Sequence, residues 1–254
     1  MNEMVNIVRS GGNFAYTDIS GDCMLPHARN RGVMHFMESP CSDLIMIDDD
    51  NWPESGAIDR MLSYDVDVVA APCRHKNEVM KMPIRFFRDR PIKRNDAGLL
   101  EVETVGTGLI KISRRAIEQL QQAFPLNWYH DSAFEGKKVP CIFEYIMKDH
   151  QWWGEDISFC KKFQSVGGTV WVDLDIKTAH CGKKVFEGST ADWLTQMPDM
   201  LSIHDPIPVK NEFSADSKLV HREPGAVVAS LSEPIADAGD IKTVFYENGS
   251  GAGH

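Results

Sequence analysis

The sequence predicts an α/β protein: a mostly parallel sheet flanked by helices over residues 1–205, followed by an irregular, extended or poorly ordered tail over 206–254. Three observations predict it. Residues 14–71 alternate short apolar runs with stretches of helical spacing, as parallel strands joined by crossover helices do. One of those runs ends abruptly in Asp48-Asp49-Asp50. Beyond Pro206 the residues Ser, Ala, Asp, Gly and Pro recur without helical or strand period, and 248–254 is rich in Gly and Ser.

Residues 2–9 read as a short helix stopped by Gly11-Gly12, and 14–19 as a strand. Over 24–37, Leu25, Ala28, Val33 and Phe36 fall close to helical spacing. Residues 44–47 form a short buried strand, Pro53 suits the first turn of a helix reaching Leu62, and 66–70 is a further strand. The Arg-, Lys- and Pro-rich stretch 83–96 reads as a loop or hairpin over the sheet. Strands are expected over 99–104 and 109–112, separated by Gly106-Thr107-Gly108. Ser113 can cap a helix over 114–124. Residues 127–138 are polar and irregular, 140–147 read as a strand, and 155–164 as a helix stopped by Gly167-Gly168. Strands over 169–172 and 177–180 close the ordered part.

The formal net charge of -10 argues against general nucleic-acid binding, which needs a basic face to release counterions. It also means that an anionic substrate must meet a local positive group or a metal ion. None of the six cysteines has C-x-x-C spacing, so a zinc knuckle is not expected, and reduced thiols in a cytoplasmic protein are the simplest reading. No signal peptide and no membrane span are expected.

Four features carry chemistry. Asp48 and Asp50 lie two apart at a strand end, so in an extended segment their carboxylates share a face and can gather a divalent cation and a sugar or ribose hydroxyl. The alternative is a solvated turn whose aspartates cap the next helix. Glu155 and Asp156 open a helix, where the macrodipole favours acids. They also suit a catalytic base or a group holding an acceptor hydroxyl. Trp152 and Trp153 just before them are either core residues or part of a sugar-stacking wall. His180, at the end of a late strand, is either a hydrogen-bonded structural residue or the imidazole that completes a metal site with Asp48 and Asp50. Such a mixed oxygen and imidazole set suits Mn²⁺. Arg29 could pair with a diphosphate through its fork of donors, or sit on a solvated helix face with Arg31. Gly106-Thr107-Gly108 lacks a following helix, which rules out a dinucleotide fingerprint.

The order of these features resembles GT-A (Rossmann-like) glycosyltransferases of bacterial and phage type. An Arg-Asn helix is followed by a strand ending in D-x-D, a Gly-Thr-Gly turn, a Glu-Asp helix and H-x-G over roughly residues 14–186. The last two elements are similar, more distantly, to polypeptide N-acetylgalactosaminyltransferases. The resemblance implies a metal-dependent, hexosyltransferase-like enzyme that moves a sugar from a nucleotide-diphosphate sugar, a UDP-sugar first among them, to an unnamed acceptor. It implies Mn²⁺ or Mg²⁺ on Asp48, Asp50 and His180, and donor contacts from Arg29, Asn30 and Asp48. Gly106, Thr107 and Gly108 would line the sugar pocket, and Glu155 and Asp156 would face the acceptor. It also implies an opening strand that cradles the base, whereas this chain starts in what reads as the helix after it. The expectation is therefore a truncated start, or replacement of that strand by the tail after Pro206, a partner chain or a homo-oligomer contact. A non-catalytic sugar-nucleotide or carbohydrate-binding module is the alternative function. A nucleotidyltransferase is disfavoured because no Gly-rich phosphate loop with a basic residue lies near the start.

Overall fold

The computed structural model describes residues 13–148, 150–182, 185–196 and 241–247. The helix expected over residues 2–9 lies outside them. In chain order, the first half contains β1 (Asn13–Ile19), α1 (Leu25–Glu38), β2 (Asp43–Asp48), β3 (Asn51–Pro53), α2 (Ala57–Ser63), β4 (Val68–Ala70), β5 (Ile84–Arg85), β6 (Leu100–Glu101), β7 (Thr104–Val105) and β8 (Leu109–Ser113). Then follow α3 (Arg114–Ala123), β9 (Trp128–Tyr129), β10 (Val139–Pro140), β11 (Ile146–Lys148), β12 (Gln151–Trp153), α4 (Glu155–Ser165), β13 (Val170–Val172), β14 (Thr178–His180), β15 (Phe186–Gly188), α5 (Thr190–Leu194) and β16 (Ile241–Glu247).

The main sheet has seven strands in the order β1-β16-β2-β8-β4-β13-β6. Its neighbours are mainly antiparallel, which corrects the mostly parallel sheet expected from the sequence. Only β4 and β13 pair parallel among the described strands of this sheet. The reason lies in what separates the strands that the alternation identifies. β1, β2 and β4 do run in one direction with α1 and α2 between them, but β16 and β8 slot between them in the opposite sense. Alternation of strand and helix implies crossovers between strands that run the same way, but it does not show that β8 and β16, from later in the chain, fill the gaps between them.

β16 comes from the stretch read as an irregular tail. It pairs with β1 from Asn13↔Glu247 to Ile19↔Ile241 and with β2 from Asp43↔Tyr246 to Asp48↔Ile241. A segment from beyond Pro206 thus occupies the position between the first two strands. Without it, the facing edges of β1 and β2 would lack ladder partners.

Alternation along the strands sorts the core into two layers. Leu44, Met46, Val68, Ala70, Ile110 and Ile112 face one side and pack with Val33 and Phe36 of α1, Ile117 and Leu120 of α3 and Phe159 and Phe163 of α4. Ile45, Val69, Leu109 and Trp171 face the other side and pack with Ala57, Ile58 and Met61 of α2. Ser113 caps α3 by accepting from Ala116 N–H at 3.1 Å. Gly167, at φ 88°, ends α4 in a conformation that costs a side-chain-bearing residue strain.

Two expected strands are different in the fold. Residues 99–104 divide into β6, in the main sheet, and β7, which pairs with β5. Residues 140–147 run from the end of β10 through a loop into β11, and within that loop Ile142 and Phe143 are core while Tyr145 is exposed. The Asn30 side chain stands in for a neighbouring strand there. Its Oδ1 accepts from Ile142 N and Phe143 N at 2.9 Å each, and its Nδ2 donates to Phe143 O at 2.8 Å. Ile142 and Phe143 therefore stay buried without a ladder because one amide satisfies their backbone groups.

Candidate functional site

The strands that run together, β1, β2, β4 and β13, end at one edge of the sheet. The loops that follow them carry Asp22, Asp49 and Asp50, Arg74 to Lys76, and Asp173. β8 runs the other way, so Gly106 to Gly108 enter the same edge at its start. His180 arrives through a small sheet of its own, where it pairs with Asn51 across β14 and β3. Cys181 N–H donates to Asp50 O at 2.8 Å and fixes this crossing.

Arg29 is the hub. Its side chain is only 2% exposed and lies among three sequence-distant elements. Nη2 donates to the Asp48 carboxylate at 3.0 Å, Nε to Glu155 Oε1 at 3.3 Å, and Nη1 to Thr107 O at 3.2 Å. Burial works against the guanidinium charge, but the two carboxylates raise its pKa overall. Burial raises the Asp48 pKa, and Arg29 opposes that shift. The Arg29 fork is directed at the protein acceptors Asp48, Glu155 and Thr107 O. The Asn30 amide bonds the 142–143 backbone.

Asp50 faces the cleft. Its Oδ1 lies 3.4 Å from His180 Nε2, and its Oδ2 accepts from Lys76 Nζ at 2.5 Å. These partners hold its carboxyl down at about 2. His180 Nδ1–H donates to Arg74 O at 2.7 Å, and Nε2–H faces Asp50 Oδ1, which raises the His180 pKa; loss of the Nε2 proton would free a lone pair for an ion at the same place. A metal-binding histidine commonly shows this arrangement, with one nitrogen tied to a carbonyl and the other turned to the ion. Asp48, Asp49, Asp50 and His180 line a cavity of about 310 Å³ together with Asp22, Cys23 and Leu25. A somewhat larger cavity of about 350 Å³ opens at the far edge, around Asp43, Asp67 and Lys111, away from every motif described above.

The expected three-ligand set is only partly assembled. No group of three or more His, Cys, Asp or Glu side chains is arranged for a metal among the described residues. Asp50 and His180 stand together, whereas Asp48 is already paired with Arg29. The donors of Asp50 and His180 fit a hard or borderline divalent ion, and the Lys76 ammonium already holds the cation position against Asp50.

The Gly-Thr-Gly turn serves close packing. Asp48 N–H donates to Gly108 O at 2.9 Å. A Cβ on Gly108 would lie 2.1 Å from Asn51 Nδ2, and one on Gly106 would lie 2.8 Å from Pro83 Cγ. Thr107 is buried. None of the three lines the acidic cavity.

Glu155 and Asp156 take different roles. Glu155 is buried against Arg29. Asp156 is partly exposed at the start of α4, and its Oδ1 accepts from Ile157 N at 2.7 Å. Burial, then the neighbouring Glu155 charge, raises its pKa. On the adjoining β11–β12 hairpin, Trp152 is 65% exposed and so is not core. Its ring lies 5.8 Å from that of Tyr145. Lys148 Nζ lies over the Trp153 ring at 5.4 Å.

Sequence reasoning missed Lys76, Arg74 and Asp22. The signal for the first two is a basic Arg74-His75-Lys76 run directly after a strand that parallels the acidic one.

No family model and no curated protein matches this sequence. Among solved structures, A197 from STIV aligns over 67% of this chain and 74% of its own, with 16% identity and a TM-score of 0.39. No helix among the described residues is long and apolar enough to cross a membrane.

Proposed function

We propose that this protein is a metal-dependent glycosyltransferase that takes a nucleotide-diphosphate sugar and passes the sugar to an acceptor hydroxyl. One observation carries the reading. Five short features, separated by up to 126 residues in pairwise contact, meet at one sheet edge: Arg29, Asp48 to Asp50, Gly106 to Gly108, Glu155 with Asp156, and His180. Asp48, Asp49, Asp50 and His180 share one cavity, and Arg29 links Asp48 to Glu155 and to the Gly-Thr-Gly turn behind it.

Asp50 and His180 would hold Mn²⁺ or Mg²⁺, with Asp48 beside them. When bound, the ion supplies positive charge to the leaving diphosphate. Arg29 holds Asp48 and Glu155 at fixed positions and balances their charge. Asp156 is the candidate base, because its raised pKa gives it more affinity for the acceptor proton than an ordinary carboxylate has. Trp152 beside it offers an exposed ring against which a sugar can stack.

A second reading is a non-catalytic module that binds a sugar nucleotide. The pairing of Asp48 with Arg29 favours it, since that carboxylate is less available to a metal. Incubating the protein with UDP-, GDP- and dTDP-sugars, with and without Mn²⁺, separates the two. Donor hydrolysis that needs Mn²⁺ supports the enzyme. Donor binding by calorimetry with no turnover supports the module, and neither binding nor turnover sinks both.

A further inference from the structure

We propose that Lys76 is a built-in counter-cation to Asp50 that gives way to the divalent ion and then holds the diphosphate. The inference rests on the metal and nucleotide-diphosphate reading above and adds to it a residue and an order of events.

The geometry divides the Asp50 carboxylate between two partners. Oδ1 is turned to His180 Nε2 at 3.4 Å, and Oδ2 to Lys76 Nζ at 2.5 Å. Lys76 thus covers one of the two oxygens that a metal would take. Its side chain is 36% exposed, so the ammonium reaches Asp50 along the cleft wall and not from within the core.

Only the side chain is free to move. Arg74 Nη2 donates to Asn77 O at 2.7 Å and to Glu78 O at 3.3 Å. Its Nη1 donates to Glu187 O at 3.2 Å. His75 N–H donates to Lys81 O at 2.9 Å, and Asn77 N–H to His75 O at 2.8 Å. These bonds tie the turn around Lys76 on both sides. The same turn bears the carbonyl that accepts from His180. A displaced ammonium would therefore swing on its own stem while the backbone that carries it stays beside Asp50 and His180.

Charge supplies the direction of the exchange. Asp22, Asp48, Asp49 and Asp50 all line the cavity, which is unfavourable for a free diphosphate. Arg29 is spent on Asp48 and Glu155. With Asp50 and His180 holding a divalent ion, the Lys76 ammonium would lose its carboxylate partner and could donate to the phosphate oxygens of a diphosphate instead.

The test compares wild type, Lys76→Gln and Lys76→Arg in the full chain, using Mn²⁺ alone and then UDP at saturating Mn²⁺, both by calorimetry. Removing a partly exposed competitor should tighten Mn²⁺ alone by about threefold to fivefold. Losing one charge-assisted contact should weaken UDP on the order of tenfold, with Lys76→Arg recovering most of it. Unchanged or weaker Mn²⁺ binding in Lys76→Gln, while Asp50→Asn abolishes it in wild type, overturns the exchange and leaves the metal reading standing. Tighter Mn²⁺ with unchanged UDP affinity overturns the transfer to the diphosphate. If wild type and Lys76→Gln both fail to bind Mn²⁺, the metal reading and this proposal fall together.

Discussion

Arg29 reaches both oxygens of Asp48, at 3.0 Å to Oδ1 and 3.3 Å to Oδ2, from a helix nineteen residues earlier in the chain. The pair is the centre from which the rest of the cleft is held, because the same guanidinium also bonds Glu155 and Thr107 O. Removing the arginine leaves the Asp48 and Glu155 carboxylates without their shared cation, Glu155 with little access to water. Arg29→Met is therefore expected to cost roughly 3 kcal/mol or more, in line with breaking a buried pair from one side. Arg29→Lys should recover only part of this, since one ammonium cannot replace three directed donors. Urea unfolding of both variants checks it. A cost under about 1 kcal/mol for Arg29→Met would mean that the three contacts do not anchor the cleft.

The two acids of the Glu-Asp motif should separate in function. Glu155→Gln loosens Arg29 and should lower stability along with every activity. Asp156→Asn should leave donor affinity intact and abolish transfer, because a base acts on the acceptor and not on the donor. Single-turnover transfer and donor titration, run on both variants, make the comparison. Full transfer by Asp156→Asn removes it from the mechanism.

Stability should follow pH through Asp156 in a definite sense. Its folded-state pKa is raised, first by burial and then by Glu155. The folded state then binds the proton more tightly than the unfolded chain does. This contribution is full below the ordinary carboxylate pKa and is lost as pH rises through the raised folded value. Asp156→Asn removes the dependence, so the variant should gain stability relative to wild type on moving from pH 4 toward neutrality. Denaturation midpoints across that range measure it. Parallel curves for the two proteins would refute the assignment.

How much of this was readable beforehand follows from which side chains announce themselves. Asp48, Asp50, Glu155 and His180 stand at element ends, where an acid or histidine after an apolar run stands out in a linear sequence. Their partners do not. Arg29 looks like a solvated helix residue until Thr107 and Glu155, 78 and 126 residues away, close over it. Asn30 looks like a ligand group but replaces a strand partner for 142–143. Lys76 lies in a turn without period, and only the convergence of β2 and β4 at one edge brings it to Asp50. The sheet order was hidden for a similar reason. β1, β2 and β4 show their alternation locally, but the antiparallel insertion of β8 and β16 depends on segments from much later in the chain.

Gly108 gives the sharpest test of how tightly the cleft is built. It joins the Gly-Thr-Gly turn to β8 and lies directly against the acidic strand end. A methyl group there would sit 2.1 Å from Asn51 Nδ2 and 3.2 Å from Asp48 Oδ2. Asn51 is itself 5% exposed, so its amide has little room to retreat. Gly108→Ala should therefore cost about 1–3 kcal/mol, as overpacking of a filled site does. Shortening the neighbour should relieve it. In Asn51→Ala with Gly108→Ala, the double variant should be more stable than the sum of the single losses predicts, by on the order of 1 kcal/mol. The Asp48 carboxylate gives an independent readout, because its backbone N–H bonds Gly108 O and its side chain is the next atom in the path of the methyl. Mn²⁺-dependent donor binding should thus fall in Gly108→Ala and return in part in the double variant. Additive losses in urea unfolding, with donor affinity unchanged throughout, would show that the turn is not packed against the acids in the way the contacts require.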